Sequence, residues 1–252
     1  MNRILIYPAG STAACGCAAD FLKEAGMPLV DHPSPEVTHL LLDVPSFGPE
    51  WELRGGGRPE ALLERLPPTV TVAGGNLNHR ALEGYSTLDL LTDPDYLARN
   101  AAITAHCALR VALPLMRVVP EDTPVLIIGW GRIGKCLGRL LQALGAKVII
   151  AARKDRDRAM IRALGCQAAD TARLGDILPD IRLLFNTVPE PVLDADSLKS
   201  CRNCVKIDLA SRAGITGTDV IWARGLPGKY APESSGKLIA QTFLKLAEEG
   251  AL

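Results

Sequence analysis

Aromatic residues make up only 4% of this 252-residue chain, and its 28 basic and 28 acidic residues cancel. Together these two shortages exclude the usual nucleic-acid binder, which stacks bases on aromatic rings and neutralises phosphates with surplus cations. Long apolar runs are missing too. The opening MNRILIYPAG is too short in apolar length for a secretory leader or a membrane span, so a cytoplasmic protein with no membrane partner is expected. Zinc-finger spacing is also absent. The seven cysteines are scattered, and Cys201 and Cys204 form a CxxC with no second pair to complete four metal ligands. No metal is expected. Free thiols in a reducing cytosol account for all seven, with a structural or redox role for the CxxC as the alternative.

What is present is apolar content, 48% of residues, cut into short runs by glycine and proline. Residues 2–7, 38–44 and 69–73 read as strands and residues 12–25 and 58–66 as helices, so the first hundred residues predict a small α/β domain. An alanine-rich apolar segment, residues 101–119, predicts a buried linking helix that Pro114 would kink or shorten. From residue 120 the pattern becomes regular. Apolar strands at 125–129, 147–153, 183–187, 205–209 and 220–223 are separated by helices, two of them at 132–144 and up to 164. That alternation predicts a parallel sheet covered on both faces, over residues 120–233. An amphipathic helix over 234–250 closes the chain and is expected to join the N-terminal domain.

The run Gly129-Trp130-Gly131-Arg132-Ile133-Gly134 sits directly after a strand and opens a helix. A GxGxxG in that place is the dinucleotide fingerprint of the doubly wound Rossmann fold. Its first glycine makes the turn, its second lets the backbone approach a pyrophosphate, and its third lets helix and strand pack closely. The helix N-terminus then offers free N–H groups to the anion. The next strand ends in Arg153 and Lys154, where an NAD enzyme usually carries an acid for the ribose 2′-hydroxyl. Two cations there suit a 2′-phosphate, so NADP is the expected cofactor. Asn186, Thr187, Val188 and Pro189 follow one later strand, and Asp208, Leu209 and Ala210 follow another. Both groups are expected to complete the cofactor site, at the carboxyl ends of the strands where such sheets bind ligands.

From about Asn100 onward the sequence resembles the A subunit of dipicolinate synthase, most specifically in IDLASRAG (207–214) and GLPGKYAP (225–232). That family joins a dinucleotide-binding domain of the D-2-hydroxyacid dehydrogenase kind to an N-terminal α/β domain. The resemblance implies oxidation of a carboxylated ring: loss of water from the cyclic product of dihydrodipicolinate synthase, then hydride transfer to NADP⁺ with aromatisation. It also implies a flavoprotein B subunit as partner, with spore formation as the setting. Where the family tends to carry Thr-Ala-Glu-Gly, this chain has Thr104-Ala105-His106-Cys107, so His106 is the candidate general base and Thr104 a substrate neighbour. Asp208 and Lys229 complete the candidate catalytic set. Ser211, Arg212, Pro227, Gly228 and Ser234 are candidates for holding the ring's carboxylates. Ser234 and its neighbour Ser235 stand at a helix start, where free N–H groups suit a carboxylate and Ser234 could equally be a plain cap.

Two other readings stay open. A 2-hydroxyacid dehydrogenase uses a C-terminal histidine, whereas His32, His39, His79 and His106 all precede the glycine loop. A nucleotide sensor or accessory protein without chemistry would carry the same binding domain. A homodimer is the default expectation for such an enzyme.

Overall fold

The computed structural model describes residues 4–249, which form two α/β units: residues 4–100 with 227–249, and residues 101–226. In the first unit the order is β1 (Ile6–Pro8), α1 (Ala13–Glu24), β2 (His39–Leu41), α2 (Pro59–Leu63), β3 (Thr71–Gly74) and β4 (Thr87–Asp89). The four strands make a parallel sheet in the order β1-β2-β3-β4. Thr12 caps α1 by accepting from the Cys15 N–H, and Gly26, at a φ of 80°, turns the chain out of it. Val37, Leu40, Val70 and Val72 pack with Leu63 and Leu66 into one core cluster. β4 has no apolar run to announce it. It exists through pairing with β3, where Leu88 lies opposite Ala73.

The next helix, α3 (Pro94–Ala112), differs from the expected 101–119 at both ends. Asp93 starts it early, its carboxylate accepting from the Tyr96 N–H at 2.7 Å. Pro114 stops it, because a proline has no N–H to donate and its ring clashes with the preceding turn. Residues 113–115 form a 3₁₀ turn instead, and Leu115, Val118 and Val119 are exposed.

The second unit contains β5 (Pro124–Ile128), α4 (Arg132–Ala143), β6 (Lys147–Ala151), α5 (Asp155–Ala163), β7 (Gln167–Ala169), β8 (Leu183–Asn186), α6 (Ala195–Leu198), β9 (Val205–Asp208) and β10 (Val220–Trp222). All six strands are parallel, in the order β10-β9-β8-β5-β6-β7. β8 is buried throughout, as is all of β5 after Pro124, which is why residues 125–128 and 183–185 are unbroken apolar runs. The chain leaves β5 in one direction for β6 and β7, then returns to its other side for β8. That reversal makes the topological switch point beside β5. β7 is short and half-exposed, and no pattern marks it in advance.

After β10 the chain forms α7 (Leu226–Tyr230) and α8 (Pro232–Glu249) and rejoins the first unit at Pro227, not at residue 234. There α8 packs against α1 closely enough that a Cβ on Gly236 would stand 2.5 Å from the Cβ of Cys17. Pro232 opens α8, a first-turn position where its missing N–H costs no hydrogen bond. No helix among the described residues is long and apolar enough to cross a membrane.

Candidate nucleotide site

Strand pairing sets Ala151, Ile128, Asn186, Asp208 and Trp222 side by side across the second unit's sheet. The residues that follow each of them therefore emerge along one edge. Gly129 leaves β5 at a φ of 108°, a conformation that side chains rarely adopt, and a Cβ there would collide with the Thr187 hydroxyl. A Cβ on Gly134 would run into the Gly129 carbonyl oxygen, so the third glycine is fixed by the packing of α4 against its own loop. Gly131 is different. No atom lies within 4 Å of where its Cβ would stand, so its backbone faces open space. It is also the N-cap of α4, and it supplies no side-chain acceptor to the helix. No acidic residue occupies the first turn, where exposed Arg132 and part-buried Ile133 stand. The end of α4 thus keeps its positive dipole and free donors for an external anion.

The first unit offers a contrast. Its own strand-to-helix turn, β1 to α1, is filled by the carboxylate of Asp43, which accepts from the N–H groups of Ser11 (2.8 Å) and Thr12 (3.0 Å). A buried carboxylate therefore already occupies the place that a phosphate would take in this turn. Of the two parallel sheets, only the second keeps the turn open.

The loops beside Gly129 are held by a buried network. The Asn186 amide donates to the Asp208 carboxylate (3.0 Å) and to the Val188 carbonyl (2.9 Å), and its oxygen accepts from the Val188 N–H (3.0 Å). Thr187 bonds back to the Ile128 carbonyl through both its N–H (2.9 Å) and its hydroxyl (3.0 Å). Asp208 is fully buried, and its other contacts are the N–H groups of Ala210 (2.9 Å), Gly214 (2.7 Å) and Ile215 (3.0 Å). Four donors on two oxygens leave the carboxylate no acceptor position for a substrate proton. In this structure Asp208 fixes the 208–215 loop and ties that loop to Asn186. Leu209 and Ala210 are likewise buried. The Leu209 N–H donates to the Asn186 carbonyl at 2.8 Å, and the Ala210 carbonyl accepts from the Trp222 indole at 3.0 Å. Pro189 stands exposed at the end of its loop.

At the end of β6, Ala152 is buried while Arg153 and Lys154 are exposed, the latter as N-cap of α5. Arg158 shapes this turn. Its guanidinium donates to the carbonyls of Ala152 (2.7 Å) and Arg153 (2.8 Å), and pairs with Asp155 and with Asp170 (3.0 Å). Asp170 and the exposed Asp155 both pair with Arg158, and Arg153 and Lys154 are the outward cations at this strand end. The spacing of Asp155 and Arg158 is that of an ordinary helix pair; what it does not show is the reach of Arg158 to the Ala152 and Arg153 carbonyls and to Asp170.

The D-isomer specific 2-hydroxyacid dehydrogenase, NAD binding domain, matches residues 113–223, which is nearly the whole of this unit. The dipicolinate synthase A subunit of Bacillus subtilis (strain 168) is 30% identical over 207 residues, spanning 75% of this chain and 70% of that protein. The chain belongs to the dipicolinate synthase A-subunit family. Two solved members share the fold. The Bacillus halodurans member matches with a TM-score of 0.84 at 21% identity, covering 98% of both chains. The Bacillus subtilis member matches at 0.78 and 22% identity, covering 99% of this chain and 97% of that one. This family member is thus an oxidoreductase-type protein whose second unit is built for a nicotinamide nucleotide.

The remaining candidate residues of this dipicolinate synthase relative fall into two groups. On the second unit, His106 is exposed on α3 and Thr104 is half-buried. Ser211 and Arg212 are exposed in the loop that Asp208 holds, with the Arg212 guanidinium on Glu190 at 2.8 Å. Arg212 is therefore a paired cation rather than a free one, though a pair this exposed is weak and can exchange. On the first unit, Pro227, Gly228 and Lys229 belong to a short helix, α7, and Lys229 is exposed. Ser234 lies inside the first turn of α8, so it is not the helix cap. Its neighbour Ser235 is the more telling of the two. The Ser235 hydroxyl is buried with no hydrogen-bond partner among the described residues. Leaving such a group unpaired costs about 1–3 kcal/mol.

Proposed function

We propose that this family member is an NADP-dependent oxidoreductase acting on a dihydrodipicolinate-like ring carrying two carboxylates. The observation that carries the cofactor choice is the end of β6, where Arg153 and Lys154 project and the neighbouring acids Asp155 and Asp170 are bound to Arg158. An acid left free there would bond a ribose 2′-hydroxyl, and two exposed cations instead match a 2′-phosphate.

The residues fit the nucleotide at three further points. Gly131 and the uncapped start of α4 receive the pyrophosphate. Thr187, locked to β5 through its hydroxyl, sets the wall of the crevice beside Gly129. The 208–215 loop, rigid through Asp208, presents Ser211 and Arg212 beyond it. When bound, NADP⁺ supplies the hydride acceptor. The ring loses water to become a dihydropyridine, then gives up one hydride and one proton to become the aromatic dicarboxylate. Aromatisation makes that step downhill, so the protein's share is to hold the ring in place and accept a proton, which we assign to His106. Arg212, Lys229, Ser234 and the α7 residues Pro227 and Gly228 are the candidates for the carboxylates. The unpartnered Ser235 hydroxyl adds a further donor, satisfied if a carboxylate accepts its proton.

The curated relative is by name one subunit of a synthase, which supports a second polypeptide as partner, and we place that partner in the flavoprotein class. The reading is tested by supplying the purified protein with freshly generated product of dihydrodipicolinate synthase and NADP⁺. NADPH absorbance and dipicolinate should rise together, one for one, and His106→Ala should slow both by about a hundredfold or more, in the range of general acid–base catalysis. Tight nucleotide binding with no dipicolinate formed would instead favour a nucleotide-binding protein without chemistry.

A further inference from the structure

Cys201 and Cys204 lie in the turn between α6 and β9, at the amino ends of the strands. This is the edge of the six-stranded sheet opposite the glycine loop, so the pair is separate from the nucleotide site. Arg202 and Asn203 form the turn, and Asn203 takes a φ of 52°, a left-handed conformation that asparagine tolerates better than most side chains. The turn sets the two thiols three residues apart on one short loop, Cys201 buried and Cys204 half-buried, with the Cys204 thiol donating to the Val205 carbonyl at 3.5 Å. Both cysteines line a recess of about 1120 Å³ together with Arg117, Arg182, Arg202 and Lys206, and Asp219 is its one acid among the described residues. Lys206 is buried, with its ammonium 2.6 Å from Asp219 and 3.4 Å from the Cys204 carbonyl.

The other thiols are in different surroundings. Burial, reinforced by the Asp43 charge, pushes Cys15 up to about 12, and burial also raises Cys107 and Cys166. Cys201 goes the other way. The hydrogen bond from Cys204 holds it below the ordinary cysteine value in spite of burial, with Lys206 and Arg182 adding to the effect. The same hydrogen bond, with burial, pushes Cys204 upward. Such a pair gives up its first proton readily and its second with difficulty, which is the state a dithiol needs to begin exchange.

We propose that Cys201 and Cys204 form a thiol–disulfide redox couple that reacts with small anionic disulfides entering through this basic recess. The Cys201 thiolate attacks one sulfur of the small disulfide, forming a mixed disulfide and expelling one thiolate, which takes up a proton. Cys204 then loses its proton to solvent and attacks the Cys201 sulfur, which closes the protein disulfide and expels the second thiolate. Two protein thiols are oxidised by two electrons, and one disulfide is reduced to two thiols. The cations around the recess attract the charged reagent and stabilise the attacking thiolate.

The test uses the full chain and oxidised glutathione as the anionic probe. After incubation, acid quenching and alkylation, trypsin cuts after Lys199, Arg202 and Lys206, and so between the two cysteines. A Cys201–Cys204 bond then appears as peptide 200–202 joined to peptide 203–206. The joined peptides should form before any other thiol is modified, and severalfold faster than with the uncharged bis(2-hydroxyethyl) disulfide. In Cys204→Ser the reaction should stop at a glutathione adduct on Cys201. Recovery of both cysteines alkylated while other thiols carry glutathione would overturn the couple, and equal rates with the two reagents would overturn the part given to the recess.

Discussion

With both oxygens filled by donors from four residues, Asp208 holds the 208–215 loop to Asn186. An Asp208→Asn amide would turn its NH₂ toward N–H groups that need an acceptor. We expect a loss of about 2–3 kcal/mol in urea unfolding, in the range of charge-assisted hydrogen bonds. A change within about 0.5 kcal/mol, the usual effect of a surface substitution, would contradict the role given to it. Residues of this kind mark the limit of reading a sequence. Gly129, Gly131 and Gly134 are legible because strand, turn and helix follow one another locally, and because each glycine has its own steric reason. The Asn186–Asp208 bond joins residues 22 apart through the pairing of β8 with β9, and Arg158 joins the turn after β6 to Asp170 beyond β7. Neither arrangement has a spacing signature. The position of Asp208 at a strand end is legible, but its task is not, because its partners come from residues that only the fold brings together.

Among the elements, the long buried strands and their following helices are legible from apolar runs stopped by Gly145 and Gly165. The short strands β4 and β7 are not, because each is held by its neighbour rather than by its own pattern. The same holds for α3, whose start is fixed from outside itself. Asp93 caps it through the Tyr96 N–H and also binds the ammonium of Lys245 on α8, at 2.5 Å. The Lys245 hydrogen bond, then the Tyr96 N–H, hold the Asp93 carboxyl below its ordinary value of 3.8. A carboxyl whose folded pKa is depressed adds stability that is fully present above the unfolded value and is lost as pH falls through the folded one. Lys245→Met should therefore be less stable than the parent at neutral pH, and the gap should close as the pH drops from about 4 toward about 2. Urea midpoints taken across that range read it directly. A gap that stays constant throughout would show that the pair contributes through packing alone.

For the whole molecule, each of the two units carries a parallel sheet with a strand-to-helix turn at its start, and the two turns differ. The first closes its strand-to-helix turn with Asp43, and the second leaves its own open beneath Gly131. The central claim is that this open turn, with Arg153 and Lys154 at the adjacent strand end, makes an NADP site. It is tested most directly by titrating the protein with NADPH and with NADH, following nicotinamide fluorescence, and repeating both with Arg153→Ala. The account predicts that NADPH binds the tighter of the two, and that the substitution weakens NADPH by about tenfold or more, the equivalent of ~1.4 kcal/mol, while leaving NADH nearly unchanged. Equal affinity for both nucleotides, or an equal loss for both in the variant, would contradict it.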